Sequence, residues 1–552
     1  MKKIISVCIY VFLLLTTSAM SHEKIKDSTS TSASEKLKAE FTESENYVLK
    51  HSPFLKDFDK SILNTDLNDL ATRLVKQETT RKPSGSDVKI DLSQMSSELK
   101  TFYDDFLKIK SGDDLIHFIN QQDEQYDKYK NDDVRYAVAN ICLLRPFQGI
   151  VWRLIKILDK SKALHSFVLT LAKRMASGVS VYLPTNQWEA GFQYVSQPYI
   201  IKNYDSKRKN WNKEKLLTQF NTEEEIQVFF ANTVLSELRV AIERISNLNF
   251  SQRLMLFDNQ LIYGKKSFEM HTIETDRYRQ IGELERITLL ASLHLAVSRI
   301  SAMRMYSVTN GLSVSKSLGN LYGWDGFSVF DTSTESNQSE VSGVTAKNIF
   351  DVYAKYPNFG KLLRDAETWA DSSFQNLKRA EFYITNAWSI VKKRPQSEAW
   401  LFNTAILSSN QRINDERLRN FQKLASGKEE EIYDHTYNEK VLVNYSQLFK
   451  KPLVENLREF LATKYENNNS KRTEWLEKEL TVDGKKIKTR YRNFFNGRGE
   501  EWKYDVYERF FPSIKNLNNP VDKKNELKRS ARVLSQSWGT WLISVPLMEA
   551  FR

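Results

Sequence analysis

Cysteine is nearly missing from this chain: Cys8 and Cys142 are the two copies in 552 residues. Cys8 lies in an apolar N-terminal run, so a chain that sheds this run keeps one thiol and has no intrachain disulfide. Eukaryotic secreted domains rely on disulfides far more than this. Proline and glycine are scarce as well, at 11 and 18 copies. So few turn-formers argue against many short strands and favour long helices.

Several chemical frameworks are also missing. The histidines His22, His51, His117, His165, His271, His294 and His435 show no HExxH and no His-x-His pair. With one thiol beside them, a zinc site has no framework and no metal is expected. There is no GxxxxGK[ST], no GxGxxG after a strand and no GxSxG, so neither a phosphate loop nor a nucleophile elbow is supported. No cofactor is implied. No period repeats cleanly enough for a known helical repeat.

What is present is a globular composition, 41% hydrophobic and 27% charged. The N-terminus has the physics of a signal peptide: Lys2 and Lys3, then an apolar run to Leu15, then small residues through Ser21. An exported chain, periplasmic or secreted, with residues 1–21 as signal peptide and no integral span after cleavage, is the expectation. Residues 22–46 are polar and Ser/Thr-rich and read as a flexible linker.

The stretch 283–306 reads as the central helix. Ile287, Leu290, Leu293, Val297 and Ile300 share one face, while Leu284, Ala291, Leu295 and Ala302 make a second apolar face. A helix apolar nearly all round belongs inside a large core. The expected architecture is mainly α, a multi-helical layered bundle or superhelix with two irregular aromatic or Gly-rich inserts and a small basic C-terminal region. Its parts are an N-terminal helical domain (47–309), a Gly/Ser-rich insert (310–344), a second helical region (345–466) and a basic aromatic region (467–552).

Within 178–199, helical periodicity breaks and Trp188, Phe192 and Tyr194 crowd together. Within 310–343, five glycines accompany Trp324. Aromatic loops on a helical scaffold are candidate binding edges. Each pairs a tryptophan with an acid, Trp188 with Glu189 and Trp324 with Asp325. Two facing carboxylates beside sugar-stacking rings are the requirement for glycoside cleavage.

Charge points elsewhere. Lysine and arginine number 81 against 69 acids, a net +12. Residues 471–552 hold 18 basic and 11 acidic side chains, so most of the excess sits there. Arg490, Arg492, Arg498 and Lys503 alternate with aromatic residues, a pattern that can hold an anionic polymer by charge and stacking. Two functions remain open: an exported, non-enzymatic binding or scaffold protein contacting an anionic polymer, lipid headgroup or protein partner; or a carbohydrate-acting enzyme of hydrolase or lyase type using Glu189 and Asp325. Export disfavours nucleic acid as the partner.

Overall fold

The computed structural model describes residues 31–54, 95–158, 188–197, 200–202, 214–216, 218–248, 255–258, 278–311, 313–314, 349–393, 411–434, 438–465, 475–482, 485–492 and 499–535. The described chain is mainly α. Its helices are α1 (Thr31–His51), α2 (Ser97–Leu107), α3 (Gly112–Gln125), α4 (Asp132–Cys142), α5 (Ile150–Leu158), α6 (Trp188–Ser196), α7 (Glu223–Phe229), α8 (Leu235–Ser246) and α9 (Glu283–Arg304). After these come α10 (Ile349–Lys355), α11 (Ala366–Lys393) and α12 (Gln411–Ala425). Among the described residues no helix is long and apolar enough to cross a membrane.

The expected central helix is α9. Leu284, Ile287, Leu290, Leu293 and Val297 are each buried, as are Leu289 and Ala296 on its other sides. It starts where Gly282 donates its N–H to Glu285 Oε2 at 2.9 Å, satisfying a donor the helix itself cannot. Its long neighbour is α11. A polar seam fixes their register: His294 Nδ1 meets Asn376 Oδ1 at 2.8 Å, and Ser373 Oγ donates to Ser298 O at 2.8 Å. At the end of α9, buried Arg304 forms a two-pronged pair with Asp365 and reaches Ser52 Oγ at 2.9 Å. Polar groups taken from water need such partners, and these can be made in only one alignment.

Three sequence expectations change. First, α1 occupies much of the stretch read as a linker. Its apolar content is low and polar contacts help dock it: Ser44 Oγ donates to Glu224 at 2.7 Å, Glu45 pairs with Arg364 at 2.8 Å, and Phe41 and Val48 enter a small cluster with Leu363, with Tyr47 packed against it. Second, the aromatic stretch expected as a loop contains α6, because Ala190, Tyr194 and Val195 fall on its inner face and are buried. Third, the stretch 223–247, whose apolar spacing reads as one continuous helix with Asn221 or Thr222 as its N-cap, is interrupted by a π-helical turn, Phe230–Val234, between α7 and α8. The capping was legible there: Thr222 is the N-cap, with three glutamates in the first turn.

The C-terminal unit is mixed. Two hairpin strands, β5 (Glu430–Asp434) and β6 (Glu439–Val443), and a second antiparallel pair, β7 (Ala462–Tyr465) with β10 (Gly499–Trp502), lie against α12 and the helices α13 (Tyr504–Glu508), α14 (Pro512–Lys515) and α15 (Pro520–Ser535). Ile432, Val441, Val443, Phe460, Ala462, Trp502, Phe510 and Leu527 form its core, and Leu377 and Ala380 of α11 join it. α11 therefore serves both cores. The boundary expected at 466/467 falls inside this unit, because β7 pairs with a strand 35 or so residues later in the chain, a non-local contact that local periodicity does not report. Residues 345–466 are accordingly not helical throughout. Three further strand pairs are Ile200–Lys202 with Glu214–Leu216 (β1, β2), Met255–Asp258 with Tyr278–Ile281 (β3, β4), and the longer pair described next.

Candidate functional site

Between β7 and β10 the chain makes a second antiparallel pair, β8 (Trp475–Val482) and β9 (Lys485–Arg492). β7 precedes this pair and β10 follows it, so the ribbon leaves and returns through one two-stranded root. The root is anchored by Ala462 and Trp502, which are buried and stand opposite each other in register. Trp502 is thus a core residue of the root and not a stacking platform.

The ribbon runs in unbroken register from Trp475↔Arg492 to Val482↔Lys485. At the rise of an antiparallel strand, eight residues span about 27 Å. Strand β9 reads KKIKTRYR, with five cations and no acid, whereas β8 reads WLEKELTV, with one cation and two acids. Lys486, Lys488, Arg490 and Arg492 occupy alternate positions and so share one face of β9. Across the ribbon, Glu477 is opposite Arg490 and Glu479 is opposite Lys488, while Lys486 and Arg492 are opposite Thr481 and Trp475.

Arg490 and Arg492 therefore belong to one charged row. Lys503 stands just beyond the root, before α13, about half exposed and 3.9 Å from Glu459. Arg498 lies outside the described residues. Lys486 and Lys488 belong with the charged row too, and the two-residue spacing of cations from Lys486 to Arg492 is the signal that groups them; Lys485 is one residue out of that spacing.

The aromatic candidates part company. Tyr194 is a correction: it is 1% exposed and donates its hydroxyl to Leu144 O at 3.1 Å, so it belongs to the core. Phe192 is partly buried and packs against the same core. Trp188 and Glu189 open α6. Trp324 and Asp325 lie outside the described residues, so no juxtaposition of the two carboxylates is described. Among the described residues no group of three or more His, Cys, Asp or Glu side chains could hold a metal ion.

Buried titratable groups in the helical core are committed to one another. Burial opposes ionisation of Asp123, but Arg145 and Arg244, each 2.6 Å away, outweigh it and hold the carboxyl below its usual range. Cys142 is buried 3.4 Å from the same carboxylate; burial first, and that negative neighbour second, push its thiol up and keep it unreactive. His294 is fully enclosed and stacked on Tyr383, and burial pushes it down to about 4 despite the Asn376 hydrogen bond. No known family model matches this sequence, and no curated protein and no solved structure is significantly similar to it.

Proposed function

We propose that this chain is an exported binding protein that engages an anionic partner along the β8–β9 ribbon. The observation that carries the reading is the charge asymmetry of that ribbon: five cations on β9, with β8 supplying only Glu477 and Glu479 opposite them. Charge left unbalanced on a narrow two-stranded element attracts polyanions over roughly a Debye length, about 10 Å at 0.1 M salt. Export is supported by the N-terminal pattern of Lys2, Lys3 and the apolar run that follows them.

Binding of the full chain to heparin, followed by titration calorimetry at increasing salt, tests this reading. Affinity is expected to fall steeply with salt. Lys488→Glu combined with Arg490→Glu should weaken it at least about tenfold, or about 1.4 kcal/mol. Salt-independent binding, or an unchanged affinity in that variant, would refute the assignment of the ribbon.

A further inference from the structure

The ribbon has two outer edges, and among the described residues no third strand pairs with either. Unpaired edges present backbone N–H and C=O groups that can template another strand. The two edges differ in charge. The β8 edge belongs to a strand of mixed sign, and the β9 edge to a purely cationic one. Within the ribbon, β8 already illustrates what β9 accepts: a strand with carboxylates at alternate positions, Glu477 and Glu479, facing Arg490 and Lys488. A strand arriving on the other side of β9 meets the same row of cations at a spacing of about 6.8 Å.

We infer that the outer edge of β9 takes an extended acidic peptide as a third strand, with carboxylates at alternate residues. This rests on the anionic-partner reading and narrows it to a protein segment recognised through both backbone and charge. Ladder hydrogen bonds provide affinity and alternating charges provide selection. Three strands also hold together far better than two in water. The same cations repel basic strands, including a second β9, and give neutral strands no ionic attraction, so one feature both admits the partner and excludes the competitor.

The test uses the full chain and a labelled eight-residue peptide alternating Glu with Thr and Val. A second peptide of the same sequence is N-methylated at alternate amides, which removes ladder donors and leaves the charge unchanged; heparin serves as a polyanion with no peptide backbone. The unmodified peptide is expected to bind at least tenfold more tightly than the methylated forms made in the two possible alternations, taking the weaker. It should slow amide exchange across 485–492 more than across 475–482. Lys488→Gln with Arg490→Gln should weaken peptide binding about tenfold, against less than twofold for Lys478→Gln. Equal binding of methylated and unmodified peptides, both displaced by heparin, would overturn strand addition and leave the anionic reading intact. No binding of either peptide or of heparin at low salt would overturn both.

Discussion

The helical core and the C-terminal core handle charge differently. In the first, Arg145 and Arg244 close on Asp123, Arg286 pairs with Glu283, and Arg304 pairs with Asp365, all at or beneath the surface of the packed helices. In the second, Glu416 is the one charged residue that is buried among the described residues of 411–535, and the remaining core is aromatic and aliphatic. Buried ions recover their desolvation cost only through excellent partners, so those of the helical core are committed to neighbours and are not available to a ligand. Apart from Glu416, the described charges of the C-terminal unit stay out of its core, in surface pairs such as Lys440 with Glu431 and Lys464 with Glu501. Net charge over the whole chain says nothing of this division; position does.

Breaking the Asp123 cluster tests the division most severely. Asp123→Ala leaves Arg145 and Arg244 without the carboxylate they share, with Glu237 still 3.7 Å from Arg145. Loss of one partner from a buried pair costs about 3–5 kcal/mol. Region-resolved hydrogen exchange should show faster opening in α3, α4 and α8, with β5 and β6 keeping their protection. Equal acceleration in both cores would mean that they unfold as one unit and that the comparison has no energetic content.

Acid provides a second, smaller lever on the same core. His294 titrates at about 4 when folded, below the ordinary value near 6.5, because burial disfavours its charged form and Arg379 repels it. Between those values the unfolded chain binds the proton and the folded chain does not, so stability rises with pH. The contribution is complete above about pH 6.5 and is lost progressively as pH falls to about 4, on the order of 3 kcal/mol in all. Urea titrations of wild type and His294→Gln across that window should differ in slope, with the variant flatter. Parallel curves would place the histidine in contact with solvent.

The sequence disclosed what local periodicity encodes. The span of α9 was legible because its apolar residues recur around the whole helix. At α3 the sequence offers Asp113 as the N-cap, but Ser111 caps the helix, two residues earlier, and Asp114 completes the box by accepting the Ser111 N–H at 2.9 Å. What was illegible depends on distant partners. Nothing near α1 announces that Glu45 meets Arg364 or that Ser44 meets Glu224, so a polar helix read as a linker. Nothing near Tyr194 announces Leu144, so a core aromatic read as a binding residue. In the candidate site, the composition of β9 was visible, but its grouping into one row required the register with β8, and its root required the pairing of Ala462 with Trp502.

The smallest effect belongs at that root. Lys464 and Glu501 face each other in register at 3.4 Å, with side chains 60% and 61% exposed. Two long side chains in water gain little from such a contact, because ordering them offsets most of a screened attraction. Lys464→Gln should therefore change stability by no more than about 0.5 kcal/mol, and it should leave heparin affinity within about twofold, since the cation removed lies off β9. Ala462→Asp, by contrast, puts a charge opposite Trp502 in an apolar core and should loosen the whole ribbon. If Lys464→Gln instead destabilised the C-terminal unit as much as Asp123→Ala destabilises the helical one, charge would be holding both cores together, and the β9 row would be more simply read as part of the scaffold than as a surface kept for a partner.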